Sequence, residues 1–353
     1  MKRRLVALVA CAIAVVASVG IPLALAGLAP LHELQQLPAE SAVAIGAVVI
    51  VGWLAKAVKF RLLSGRLGQR AGFAACLAVS LGCDFGFAAT PGGIGGYPAT
   101  VFLLGRIGVA PACAAALMAA DQTLDLAFFF ATVPLAALWS LSRNMPHPDD
   151  ALAAAVWLVV AVLTIGALVI GRLGRTPADT KRRCMRLRKS RFHRRAARLQ
   201  GLWRETCTHL RALGAAPPAI VCAILAATSL QWIARLAVLG VALAWLGHAV
   251  PAAVVFLAQS VALHAGQWTG IPGGVGGTDL ILARALAPWA PLATIATALV
   301  AWRIATFHLT LFAGGLAFAG LAARRQRPVS PDHRHVQSSL TRSGSERTGA
   351  GAA

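Results

Sequence analysis

The chain has 353 residues, 58% of them hydrophobic and 13% charged, with a mean hydropathy of +0.71 and a formal net charge of +21. A soluble domain carries about 25% charged residues, so this composition excludes a water-soluble globular protein and points to a polytopic α-helical membrane protein; no long alternating pattern suggests a barrel. The positive charge sits in connections and tails, which is the bias of inner loops and of contact with anionic lipid, not of nucleic-acid binding.

In chain order, Lys2, Arg3 and Arg4 precede an apolar run over 5–28. The "ALA" at 24–26 resembles a signal-peptidase site. The run is longer than a signal core of about 7–15 residues, and we read it as a retained first span. Further spans are predicted at 41–63, 72–89, 110–141, 150–173, 217–246, 251–269 and 291–323. Two apolar pieces, 97–104 and 278–286, remain. At about 1.5 Å per residue neither crosses a hydrocarbon core of about 30 Å.

Each short piece follows a glycine run. "TPGGIGGYPATVFLL" begins at Thr90, and "IPGGVGGTDLILARA" begins at Ile271, 181 positions later. The charge pattern decides what such breaks mean. Lys56, Lys59, Arg61, Arg66 and Arg70 place the second connection inside, and 14 basic residues over 172–211 place that segment inside. These assignments close only if the segment around the first run enters from the inside and returns there, while the second enters from the outside and returns there. Every Lys and Arg except Arg143, Arg235, Arg284 and Arg303 then lies on the inner side.

The expected fold is therefore an all-α polytopic membrane protein. It has about eight transmembrane helices plus two re-entrant helical hairpins in an inverted-topology repeat. Residues 1–141 form the first unit with its tip at 90–98. Residues 142–323 form the second, with a basic cytoplasmic segment at 172–216 and a tip at 271–279. Residues 324–353 read as a disordered cytoplasmic tail. Within the basic segment, Phe192, Ala196, Leu199, Trp203 and Leu210 recur at nearly helical spacing with Arg191, Arg194, Arg195 and Arg198 between them. That pattern suits an interfacial amphipathic helix or a solvated connector. The seven cysteines show no CxxC or zinc spacing, and no disulfide, metal centre or cofactor is predicted.

The tips are the first candidate site. Gly92, Gly93, Gly95, Gly96, Gly273, Gly274, Gly276 and Gly277 allow close approach of backbone or ligand. Pro98 suits a first helical turn, and Thr278 is a good N-cap followed by Asp279. Two helix starts converging from opposite faces would attract an anionic headgroup. The plainer alternative is close helix packing through small residues. Ionisable groups inside spans are the second signal. Arg235 and Arg303 are candidates to bind the headgroup, and Asp84, Asp121, Asp125, His264 and Asp279 to balance charge or carry a proton. Internal pairing of Arg303 with Asp121 or Asp125 for assembly alone is the competing reading. No Walker loop, dinucleotide fingerprint, GxSxG or HExxH is present, so neither ATP drive nor a recognised catalytic constellation is expected.

"AVKFRLLSGRLG" at 57–68, the two PGG blocks, "MAADQTLDLAFFF" at 118–130 and "VAWRIATFHLTLFAGG" at 300–315 resemble the lysylphosphatidylglycerol synthase transmembrane (flippase-domain) family. In that family the position of Asp279 is commonly Glu, and the first block usually carries an acidic residue where this chain has Gly96. The resemblance implies eight spans, re-entrant segments and lipid handling. Its best-known member adds a soluble aminoacyltransferase. Only about thirty polar residues follow Ala323 here, too few for such a domain, so the membrane part without the synthase is expected.

The functional expectation is a lipid flippase or transporter of the cell inner membrane. It would carry a phospholipid or lipid-linked intermediate, with membrane lipids of anionic headgroup as partners and both termini cytoplasmic. The alternative is a noncatalytic membrane partner of a lipid- or glycan-modifying enzyme, docked through 172–211. The sequence leaves a homodimer open.

Overall fold

The computed structural model describes residues 2–36, 38–69, 71–143, 191–214 and 216–324. The predicted span at 150–173, the first part of the basic segment and the tail beyond residue 324 lie outside the described residues. Among the described residues the regular structure is helical: α1 Lys2–Ala26, α2 Ala29–Gln36, α3 Ala39–Arg66, α4 Phe73–Ala89, α5 Gly96–Arg106, α6 Pro111–Ser142, α7 Arg191–Gly214, α8 Pro218–Trp245, α9 Ala252–Trp268, α10 Gly277–Leu286 and α11 Leu292–Ala323.

Helices α3, α6, α8 and α11, at 28, 32, 28 and 32 residues, are long and apolar enough to cross a membrane. Cys11–Ala26 of α1 and α2 together make a fifth candidate, bent by 104° at its break. Proline marks several starts. Pro111 and Pro218 open α6 and α8, where a missing N–H costs nothing, and Pro251 and Pro291 precede α9 and α11. The arms α4 and α9 have 17 residues each. At 1.5 Å per residue each is about 25 Å long, short of a core of about 30 Å.

α4 and α5 form one helical hairpin, closed by the first glycine run. α9 and α10 form the other, closed by the second. Each hairpin packs on the last long helix of the opposite half: α4 on the C-terminal part of α11, and α9 on α6. The close approach of α4 to α11 depends on small residues, since a Cβ on Gly314 would lie 2.4 Å from the Leu81 carbonyl oxygen. The second arms are buried in separate cores. Leu103 of α5 packs with Phe60, Val79 and Leu117, while Leu282 and Leu286 of α10 pack with Leu239, Leu243 and Leu299. α3 and α8 pack along one another and join the halves. The glycine runs meet: Pro91 and Pro272 form an isolated antiparallel β-bridge.

α11 is not uniform. Ile304–His308 forms one π-helical turn, a local widening that often marks functional sites. α1 packs against the N-terminal part of α11 and touches α10. The helix expected in the basic segment is present as α7, and Leu210 and Leu213 at its C-terminal end join the core at α6. The Thr206 hydroxyl of α7 donates to the Ala112 carbonyl at 3.3 Å.

Candidate functional site: a cavity at the meeting of two glycine tips

The first tip turns on Gly92 and Gly93, at φ +61° and +70°. Those values lie in the left-handed region that costs other residues about 1–2 kcal/mol. The Gly93 N–H closes the turn on the Thr90 carbonyl at 3.0 Å. The Thr90 hydroxyl donates to the Gly86 carbonyl at 2.7 Å and accepts the Gly95 N–H at 2.8 Å. Gly96 lies against the Phe87 ring, where a Cβ would come within 2.3 Å.

The second tip turns on Gly273, Gly274 and Gly276, at φ +64°, +61° and +86°. Here a carboxylate and a guanidinium do the holding. Asp279 accepts the Gly276 N–H at 2.8 Å. Its two oxygens take the Arg303 fork, Nε at 2.8 Å and Nη2 at 2.9 Å. Arg303 Nη1 also donates to the Gly273 carbonyl at 3.0 Å. The guanidinium lies 4.8 Å from the Trp302 ring centroid, and both charges are buried, at 0% and 2% exposure. A buried pair of this kind persists only when its remaining donors and acceptors are satisfied.

Two expectations need correction. The helix α10 starts at Gly277 with Gly276 as its N-cap, because the positive φ at Gly276 turns the chain before Thr278 is reached. The Thr278 hydroxyl instead donates to the Ala262 carbonyl at 3.2 Å, joining the two arms of the hairpin. Arg303 pairs with Asp279 and not with Asp121 or Asp125. α6 turns those aspartates toward α3, where Lys59 holds Asp121 at 2.6 Å and Asp125 at 2.8 Å. One helical turn earlier on α3, Lys56 holds Asp84 of α4 at 2.5 Å. Lys56 and Lys59, expected from the charge pattern to mark an inner connection, are instead buried, at 6% and 0% exposure. Their signal was available: two lysines three apart on a span, with three carboxylates on other apolar helices to answer them.

A cavity of about 420 Å³ opens where the tips meet. Of the residues singled out from sequence, Gly92, Gly93, Gly273, Gly274, Asp84, Asp125, Arg235, His264 and Arg303 line it. Gly95, Gly96, Gly276, Gly277, Asp121 and Asp279 do not; they hold the walls. The backbone N–H groups of Gly95, Gly96, Gly276 and Thr278 already donate within their own tips. Those four N–H groups are therefore not free to meet an anion.

Arg235 is the lining cation without a carboxylate partner among the described residues, and its guanidinium lies 5.7 Å from the Trp232 ring centroid. His264 hydrogen-bonds the Ser260 carbonyl through Nδ1 at 2.7 Å. A carbonyl only accepts, so Nδ1 carries the proton and Nε2 is left for the cavity. Sequence reasoning missed Gln231, Trp232 and Gln259, which also line the cavity. Gln231 Oε1, Trp232 Nε1 and Gln259 Oε1 are buried without hydrogen-bond partners in the structure. Native proteins leave few such groups. The available sign was position: Gln231 and Arg235 are one turn apart on a span.

The chain is 23% identical over 273 residues to a UPF0104 membrane protein of Archaeoglobus fulgidus, covering 75% of this chain and 81% of that protein. The family model described as the lysylphosphatidylglycerol synthase TM region matches residues 5–314. A match over nearly the whole chain, on a helical protein whose glycine tips border a cavity carrying several charged side chains, places this integral membrane protein in the lysylphosphatidylglycerol synthase TM-region family.

Proposed function

We propose that the protein moves the headgroup of a phospholipid or lipid-linked intermediate between the leaflets of a cell inner membrane, without chemistry on the lipid. In this reading the two hairpins are re-entrant from opposite faces, the halves form an inverted repeat, and both termini are cytoplasmic. The headgroup passes through the cavity at the tips while the acyl chains stay in lipid.

One observation carries the reading. A cavity of about 420 Å³ lined by Arg235, Asp125, His264 and partnerless amide and indole groups lies among apolar spanning helices. A charged side chain in the hydrocarbon costs at least about 2.5–3.5 kcal/mol on insertion scales, so it belongs to a wet or ligand-filled space. The 17-residue arms suit the reading, because each ends its helix part-way across a core of about 30 Å. The Lys56–Asp84 and Lys59–Asp121–Asp125 clusters pin α3 to α4 and α6 beside the cavity.

The test is reconstitution. Purified protein in liposomes bearing acyl-chain-fluorescent phospholipids is expected to accelerate their exchange to the outer leaflet, read with an impermeant quencher. Exchange no faster than in protein-free vesicles, for every headgroup tried, would overturn the reading.

A further inference from the structure

Counting charges around the cavity gives an uneven result. Lys56 is answered by one carboxylate, Asp84, and Arg303 by one, Asp279. Lys59 is answered by two. That triad has one carboxylate more than it has cations. Within it, Asp121 is sealed, with its side chain 1% exposed, while Asp125 is 15% exposed and lines the cavity. On α8 the opposite holds: Arg235 lines the same cavity and has no carboxylate partner among the described residues. The cavity is thus neutral in sum but polarised, with a surplus carboxylate on α6 and a surplus guanidinium on α8. A plain anion drawn to Arg235 is opposed by Asp125. A plain cation drawn to Asp125 is opposed by Arg235. A group with both signs satisfies both, and in a site of low dielectric unpaired surplus charges are costly.

We infer that the cavity takes a zwitterionic headgroup with one phosphate and one primary ammonium, an aminophospholipid, in preference to a simple anionic headgroup. This rests on the translocator reading above. The phosphate sits on Arg235, with the buried indole N–H of Trp232 as a second donor. The ammonium sits on Asp125, with the partnerless Oε1 of Gln231 as a further acceptor in the same cavity. A primary ammonium has N–H donors for these oxygens, and a quaternary one has none. The anionic headgroup expected from sequence assumed two free cations, and Asp279 removes Arg303 from that count.

The experiment compares acyl-chain-fluorescent phosphatidylethanolamine and phosphatidylglycerol in phosphatidylcholine vesicles containing the full chain or one of two variants. Wild type is expected to move phosphatidylethanolamine faster than phosphatidylglycerol. Asp125→Asn leaves Lys59 and Asp121 as a one-to-one pair, so a normal yield and a monodisperse preparation are expected. Losing a charged contact made only by the ammonium lowers the ethanolamine-to-glycerol rate ratio by about tenfold. Arg235→Gln slows both lipids, since both carry phosphate. Wild type that moves phosphatidylglycerol as fast as phosphatidylethanolamine overturns this inference and leaves the translocator reading standing. Equal slowing of both lipids by Asp125→Asn also overturns it, as a structural role would give. Wild type that moves neither lipid overturns this inference, and overturns the translocator reading as well when no other headgroup tried moves.

Discussion

The two PGGxGG tips are near-copies in sequence and differ in what holds them. In the first, a threonine hydroxyl accepts the Gly95 N–H; in the second, the equivalent Gly276 N–H goes to the Asp279 carboxylate, which Arg303 neutralises. Ile94 at the first tip is 70% exposed, while its counterpart Val275 is 1% exposed and packs with Ala14 of α1 and Phe307. Gly95 is near φ −71°, and Gly276 is at +86°. One tip is therefore tied by a neutral bond and the other by a buried ion pair under a hydrophobic cover. Similar backbone turns do not need similar chemistry. The second tip is the more heavily tied and more deeply covered of the two.

Arg303→Ala is the strongest way to break that contrast. It leaves Asp279 charged and buried without its fork, a loss of about 3–5 kcal/mol. Folded yield and thermal stability in detergent should fall together with transport. A stable, monodisperse Arg303→Ala protein with lost transport would mean instead that Arg303 serves the substrate.

A matched glycine pair sharpens the comparison. Gly92→Ala and Gly273→Ala both enter the left-handed region, at about 1–2 kcal/mol each. At Gly92 the nearest atom to a new Cβ is 3.4 Å away, but at Gly273 it is the Phe307 ring at 2.4 Å. Overpacking adds about 1–3 kcal/mol at the second position alone. Unfolding temperatures should rank wild type, Gly92→Ala, Gly273→Ala in descending order, and equal losses would contradict the asymmetry. Thr90→Val has the smallest effect, about 1 kcal/mol, because it removes one hydroxyl that bridges the turn and keeps the shape. Hydrogen exchange should quicken at the Gly95 amide and stay unchanged at Gly276.

Much of the site was legible and some of it was misread. The repeated blocks located both tips, and Asp84, Asp125, Arg235 and His264 all reach the cavity. The partners were not legible. Lys56 and Lys59 carry the same letter as a loop lysine, and only the packing of α3 against α4 and α6 shows them holding Asp84, Asp121 and Asp125. Thr278 looked like a cap because threonine favours that position. The φ of Gly276 is a backbone choice that side-chain preference does not report.

By itself the sequence determined the helical membrane class, the placement of the breaks and the residues that are expensive in lipid. Those follow from local hydropathy, from glycine and proline, and from the uneven distribution of charge. Tertiary structure alone decided that the tips pair through Pro91 and Pro272, that Asp279 takes Arg303, and that Lys59 has two carboxylates while Arg235 has none among the described residues. Ion pairing depends on which helix faces meet, and that is a property of the whole packing rather than of any one segment.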